Sequence, residues 1–364
     1  MKHKKKLRPA MVIIAVISLV AFSYCMFMIY DTIEIKDDTS NIDNLGPSAV
    51  DIDSSDMYEK TEDDLKNSEQ DRQVKDWAKD LLAKNSDAIG WIRIPGFTDE
   101  NGKEYINYPV FKCSNNDYYL YRNIDGYWDQ SGSIYADYRT TIDENGQSDN
   151  IVMYGHHMRR MGTAFTHLAE YKSGIDMLKK YPFIEFNSIY EEGEVYAIVS
   201  VYVAAVNKWQ DPNLFPYWMY YDFDKTEKKN DSSASSSEKD SSSEQDSKTD
   251  DSNTDGYEER PDAKDPETSS DYTDFETWKE KTLLYSWYNA DISCDIDDKY
   301  ITLSTCSNEV PYMRLVIVAR KLKRTDNRKA ILESYSDKPE EEIYFPPVWT
   351  NWWGHHRKYL GWYY

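Results

Sequence analysis

The sequence predicts a mainly β fold, and three observations carry that expectation. Short apolar or alternating runs recur along the chain: "IGWIRIPG" (Ile89–Gly96), "INYPVF" (Ile106–Phe111), "GSIYAD" (Gly132–Asp137), "IVMYG" (Ile151–Gly155), "FIEF" and "EVYAIVSVYVAAV" (Glu194–Val206). Bounded by Gly, Pro, Asn or Asp, such runs read as strands. A closing pair, "KYITLSTC" and "MRLVIVARKL", reads as strand, turn, strand. The chain of 364 residues also carries 31 Tyr and 11 Trp, side chains that suit pleated sheets. Many short strands at this spacing fit a barrel or a sandwich.

The remaining segments follow in order. Lys2, Lys4, Lys5, Lys6 and Arg8 lie in a basic flank, residues 1–9, before "PAMVIIAVISLVAFSYCMFMIY", a run free of charge. A run of about 20 apolar residues is long enough to cross a bilayer, so residues 10–30 are expected to be a transmembrane anchor. The flank then stays cytoplasmic and the bulk of the chain lies outside. A cleaved signal peptide would have a shorter apolar run and an A-x-A-like site, and none is visible. Residues 31–73 read as an acidic stalk and the start of a helix predicted over Glu59–Lys84, where Val74, Trp77, Leu81 and Leu82 fall at helical spacing. Residues 74–323 form one folded domain, with one or two short helices in "TAFTHLAEYKSGIDMLKKYP" and another over Asp274–Asn289, capped by Asp274. Lys225–Tyr272, rich in Ser and Asp, is too polar to offset its ordering entropy and is expected to be a disordered insertion inside that domain. Residues 324–364 are an aromatic-rich extension. It is expected to pack on the domain, the other readings being an aromatic belt at a membrane interface or a binder of wall glycan.

Charge and cysteine count narrow the chemistry. A formal net charge of −22 argues against nucleic acid as a partner. Beyond Cys25 there are three cysteines, Cys113, Cys294 and Cys306, too few for a disulfide framework. Either Cys113 pairs with Cys294, or all three are thiols; both leave Cys306 available. Cys306 ends a strand, flanked by hydroxyls and followed by arginines, a setting that suits a nucleophile as well as an inert packed thiol. Of six histidines, His156 and His157 in "MYGHHM" follow a strand and a glycine, placed to face another strand end; the bland alternative is a solvated turn. A zinc site needs three or four ligands, and this pair with Cys306 is read as an incomplete set, so neither metal nor cofactor is expected. The order His, Cys, Arg is also not that of a papain-like enzyme.

At these residues the chain resembles the sortase family, class B most of all. "LSTC" at Leu303–Cys306 matches the family's TLxTC signature, Arg314 stands where the family keeps an essential arginine, and "YGHHM" matches YGH-x-M, with His156 as the catalytic histidine. "IGWIRIPG…INYPVF…NNDYYLYRNIDGYWDQSGSIYAD" and the helix before "DDKYITLSTC" also follow the class B pattern. The resemblance implies an eight-stranded β-barrel with an N-terminal helix and a helix before the cysteine strand. It implies a membrane-anchored extracellular transpeptidase that cuts a C-terminal sorting motif after Thr, passes the acyl group to Cys306, and joins it to an amine of a peptidoglycan precursor. Near the substrate groove it places Asn116, Tyr154, Ser304 and Thr305, each of which can equally be a packing residue. Arg320 shares a strand face with Arg314 but lies farther from Cys306. The competing functions are a non-catalytic wall- or pilus-binding scaffold and a cysteine protease using water as acceptor.

Overall fold

In the computed structural model, which describes residues 14, 16–27, 45–48, 72–158, 161–226 and 272–361, the apolar runs close into a barrel. Its strands are β1 (Ala88–Arg93), β2 (Asn107–Phe111), β3 (Ile134–Ala136), β6 (Asn150–Tyr154), β7 (Phe183–Ser188), β8 (Val195–Ala204), β10 (Tyr300–Cys306) and β11 (Arg314–Lys321). The order around the barrel is β1-β2-β3-β6-β10-β11-β8-β7, and β7 pairs back with β1. The fold is therefore mainly β, with the eight-stranded closed barrel expected above. Two neighbours, β2/β3 and β6/β10, run parallel and the rest antiparallel. Two short ladders stand apart: β4 (Ile142–Asp143) with β5 (Gly146–Gln147), and β9 (Tyr288–Asn289) with β12 (Ser336–Asp337).

Strand β1 is buried along its whole length, although its sequence alternates as a half-exposed strand would. The outer face is covered. Leu45 packs on the core, and the backbone at Gly46 runs so close to the Trp91 ring that a Cβ would sit 2.5 Å from it. That contact places part of the predicted stalk on the barrel. Helix α1 (Asp76–Lys84) adds buried Ala78 and Leu81; the predicted helix residues before Arg72 lie outside the described residues. Strand β8 is likewise buried throughout, its outer side met by helix α3 (Phe275–Tyr285), where Ser200 Oγ donates to Thr282 O at 2.8 Å. Asp274 caps α3, accepting from Glu276 N–H. The helix stops four residues short of the predicted Asn289, because Tyr288 and Asn289 pair with Asp337 and Ser336. Between β6 and β7 lie a 3₁₀ turn (Thr166–Lys172) and helix α2 (Ile175–Lys180).

The extension forms helix α4 (Arg328–Ser334) and helix α5 (Pro347–Trp353), and buries Ile331, Tyr335, Ile343, Phe345 and Trp349. Trp287 and Trp349 meet edge to face at 5.9 Å, and Tyr285 and Tyr344 meet with tilted rings at 4.6 Å. Tyr335 reaches β8 directly, its hydroxyl donating to Ile198 O at 2.7 Å.

Among the described residues no helix is long and apolar enough to cross a membrane. Residues 16–27 are helical, with Val16, Leu19, Val20 and Phe22 exposed. The flanks of this stretch in the predicted 10–30 anchor lie outside the described residues, so the anchor has no structural support here.

The insertion is narrower than the sequence indicates. Lys225 Nζ bonds Asp149 Oδ1 at 2.8 Å, and the Tyr272 ring packs on Tyr220 at 5.4 Å, so both ends belong to the barrel. Residues 227–271, on which the expectation of disorder rests, lie outside the described residues. Asp224 N–H donates to Thr273 O at 2.9 Å, bringing the two ends together. Excising 227–271 and joining the ends with a short linker is therefore expected to leave the barrel folded. Loop length enters closure entropy at only about 0.6 kcal/mol per doubling, so the melting temperature should move by less than about 3 °C. A drop of ten degrees or more would show that the excised residues hold the barrel together.

Candidate active site

Strands β10 and β11 set the centre of the site. Their antiparallel register puts Cys306 directly opposite Arg314. Arg314 Nη1 lies 3.6 Å from Cys306 Sγ; the guanidinium is buried and the thiol half-exposed. At this spacing a cation favours thiolate over thiol. Arg320 is opposite Tyr300, at the far end of the same strands. It is fully buried and grips Asp326 through Nη1 and Nη2 at 2.8 and 3.0 Å.

Strand β6 delivers the histidines to the same end of the barrel. It runs parallel to β10, with Tyr154 beside Ser304, and the chain keeps tracking β10 after the strand ends. Gly155 N–H donates to Ser304 O at 3.2 Å, and Thr305 Oγ1 donates to Gly155 O at 2.7 Å. His157 Nδ1 then lies 2.8 Å from Cys306 O. The turn is therefore not merely solvated: His157 holds the backbone of the cysteine. His156 Nε2 lies 2.8 Å from Leu120 O, and its ring leans on Tyr121 at 5.4 Å. A carbonyl oxygen only accepts, so Nε2 carries the proton there, and in the neutral ring Nδ1 is the basic nitrogen.

The other predicted groove residues divide into two groups. Ser304 shares the Cys306 face of β10, and its hydroxyl pairs with Tyr217 OH at 2.7 Å. Thr305 points to the opposite face, bonded to Gly155 as above. Asn116 and Tyr154 instead meet on a buried carboxylate, Asp137: Asn116 Nδ2 donates at 3.1 Å and Tyr154 OH at 2.8 Å. Arg139 forks onto the same group at 2.7 and 2.8 Å. Burial, and then the Asp137 charge, push the Tyr154 phenol well above its ordinary range. These contacts show Asn116 and Tyr154 in a structural network behind the site.

Sequence reasoning missed Tyr217. It sits in a 3₁₀ turn (Tyr217–Met219) within the aromatic run "FPYWMYYDF". Burial pushes its phenol up to about 12, Arg314 and the Ser304 hydrogen bond pull it down, and Cys306 raises it; through Ser304 the hydroxyl lies on the Cys306 face of β10. It also missed Lys172. This buried ammonium donates to Ser307 O at 2.8 Å and pairs with Glu309 Oε2 at 2.5 Å, while Ser307 Oγ donates to the same carboxylate at 2.7 Å. The group pins the turn between β10 and β11, in which Asn308 and Tyr312 have φ of 68° and 64°. A left-handed conformation costs a residue such as Tyr roughly 1–2 kcal/mol, so the turn depends on such ties.

All four cysteines are free thiols, which leaves Cys113 and Cys294 unpaired with each other. Cys294 is half-buried, and burial pushes its thiol up. Cys113 Sγ donates to Asn115 O at 3.2 Å in the loop after β2.

No family model matches the chain. Among known proteins it is similar to Sortase B of Listeria monocytogenes, 27% identical over 240 residues that cover 66% of this chain and 71% of the relative. It is also similar to Sortase B of Staphylococcus aureus, 24% identical over 241 residues, covering 66% and 72%. Among solved structures, the Staphylococcus aureus sortase B–substrate complex matches at 21% identity over 69% of this chain and 87% of that one, with a TM-score of 0.47. Sortase B from Listeria monocytogenes matches at 25% identity over 66% and 98%, with a TM-score of 0.43. Both sequence relatives are class B sortases, and together they support the sortase family for this chain.

Proposed function

We propose that this chain is a class B sortase: a cysteine transpeptidase that cuts a sorting motif after Thr and transfers the acyl group to a cell-wall amine. The observation that carries this reading is the Arg314 guanidinium 3.6 Å from the Cys306 thiol across a register pair. In the reaction the Cys306 thiolate attacks the carbonyl carbon of that Thr, and Arg314 stabilises the oxyanion. The C–N bond breaks, and the departing amine takes the Nδ1 proton of His156, which enters this step as imidazolium and leaves it neutral, with the acyl group held as a thioester. An incoming amine attacks the thioester and gives its proton to His156, and collapse releases the Cys306 thiolate. Given the Leu120 hydrogen bond, Nδ1 is the nitrogen assigned to both transfers. One amide replaces another, so no nucleotide is needed.

The uncharged N-terminal run is assigned as the membrane anchor, with the barrel at the cell surface; the length of that run in the sequence and its basic flank support this. Surface proteins bearing a sorting motif are the proposed substrates, and a peptidoglycan precursor supplies the amine. Incubating the soluble domain with a sorting peptide tests the reading. The expected products are the cleaved peptide and, with an amine added, its conjugate. Cleavage with no conjugate at any amine concentration would make the protein a hydrolase, and no cleavage at all would leave a binding scaffold.

The backbone behind His156 gives a further check. Gly132 has φ of 56°, and a Cβ there would collide with Leu120 O, the carbonyl that holds His156. Gly132→Ala is expected to fold but lose kcat by roughly 10²-fold, the cost of about 1 Å of misplacement. An unchanged kcat would show that this carbonyl does not orient the imidazole.

A further inference from the structure

The turn that joins Cys306 to Arg314 is tied from two sides, and both ties lead to the C-terminal extension. On one side Gln210, fully buried, donates Nε2–H to Pro311 O at 3.2 Å and accepts Val206 N–H at 2.9 Å. Its own carbonyl accepts Val348 N–H from helix α5 at 3.2 Å, and the neighbouring Asp211 accepts Tyr344 OH at 3.0 Å. On the other side Lys172 holds Ser307 O and Glu309, and the Tyr359 ring lies over its ammonium, 5.9 Å from Nζ to the ring centroid. Packing alone does not account for this route. The extension has already buried Phe345 and Trp349 against Trp287 before it turns back, with Trp349 Nε1 donating to His356 O at 2.9 Å and Arg357 paired with Asp337. Only beyond these anchors does the chain bring Tyr359 to Lys172.

We propose that the extension, residues 328–361, is a brace for the turn between thiol and guanidinium, and that Gln210 and Tyr359 are its positioning residues. The proposal rests on the transpeptidase reading for its consequence in turnover, but not for its effect on the thiol. The titratable and charged groups around Cys306 are Arg314 from β11, 3.6 Å from Sγ, His157 from the segment after β6, on the Cys306 carbonyl, and Tyr217 from its 3₁₀ turn, with His156 beside His157 on Leu120 O. Glu309 and Lys172 lie at the turn itself. A slack turn lets Arg314 move away from Sγ, the thiolate loses its nearest cation, and a higher pH is needed to ionise the thiol.

The experiment uses the full chain and the variants Gln210→Met, which keeps bulk but removes the amide, Tyr359→Ala, and Tyr359→Phe, which keeps the ring. Alkylation of Cys306 by iodoacetamide is followed against pH by mass spectrometry of the Cys306 peptide, so the other thiols do not interfere. Gln210→Met and Tyr359→Ala are expected to raise the midpoint by about half a pH unit or more. With a sorting peptide they should lower kcat roughly tenfold while KM stays within about twofold. Tyr359→Phe should match the parent. Parental midpoints in both Gln210→Met and Tyr359→Ala, whatever their melting temperatures, would reduce the extension to packing. If Gln210→Met does not fold, Tyr359→Ala decides alone. A shifted midpoint in a chain that never turns over the peptide would sustain the brace and sink the transpeptidase; parental midpoints with normal turnover would do the reverse.

Discussion

Replacing Cys306 with Ala is expected to abolish peptide cleavage and acyl transfer, a loss on the order of 10⁶ in kcat by comparison with other covalent catalysts deprived of their nucleophile. The barrel should be unaffected, because the lost atom sits half-exposed at a strand end, not in the core. No other described cysteine can substitute. Cys294 has its thiol pushed up by burial, and Cys113 is occupied with Asn115 O. Circular dichroism and a melting curve establish that the variant folds, and single-turnover assays establish the loss. Turnover retained in Cys306→Ala but lost in Cys113→Ala or Cys294→Ala would move the nucleophile elsewhere.

Arg314→Lys is the second large effect, a loss of about 10²–10³ in the rate of acyl-enzyme formation, the usual consequence of removing an oxyanion donor. A lysine keeps the charge but not the planar fork of donors. Arg320→Lys should leave the rate alone and reduce stability instead. Its fork holds Asp326 and also donates to Lys321 O at 2.8 Å, and a buried donor–acceptor set left incomplete costs roughly 1–3 kcal/mol. Measuring both variants with one sorting peptide separates the two arginines. A crippled rate in Arg320→Lys would mean that the catalytic cation was misassigned. Normal rates in both would remove the electrostatic role from this strand.

What was legible in the sequence was local. Strand alternation put Arg314 and Arg320 on one face with Arg314 the nearer to Cys306, and the family resemblance singled Arg314 out; that it stands directly opposite the thiol emerged only with the register of the structure. Strand ends marked by Gly155 and Cys306 located the histidines. What escaped were contacts with no local period. Tyr217 meets Ser304 across 87 residues, Lys172 meets Ser307 across 135, and Leu120 meets His156 across 36, each from an irregular turn or short 3₁₀ segment. Burial on both faces of β1 was also hidden, since the residues that cover it at Leu45–Ser48 read as solvated stalk. The aromatic content of the extension was plain, but its route to Gln210 and Lys172 was not, because a ring's destination is fixed by tertiary packing, not by its neighbours in sequence.

The parallel pairing of β6 with β10 also sets a timetable. Gly155 and Thr305, hydrogen-bonded in the finished molecule, are separated by 150 residues of chain. A polypeptide is made from its N-terminus at about 5–20 residues per second, so the histidine segment waits roughly 8–30 s for its cysteine partner to be synthesised. During that interval β6 has one open edge and the barrel cannot close. The newborn thiol, for its part, appears eight residues before the arginine that is to sit beside it. The candidate centre is thus assembled only once Arg314 has been made, and a chain truncated anywhere before it carries a cysteine without that cation.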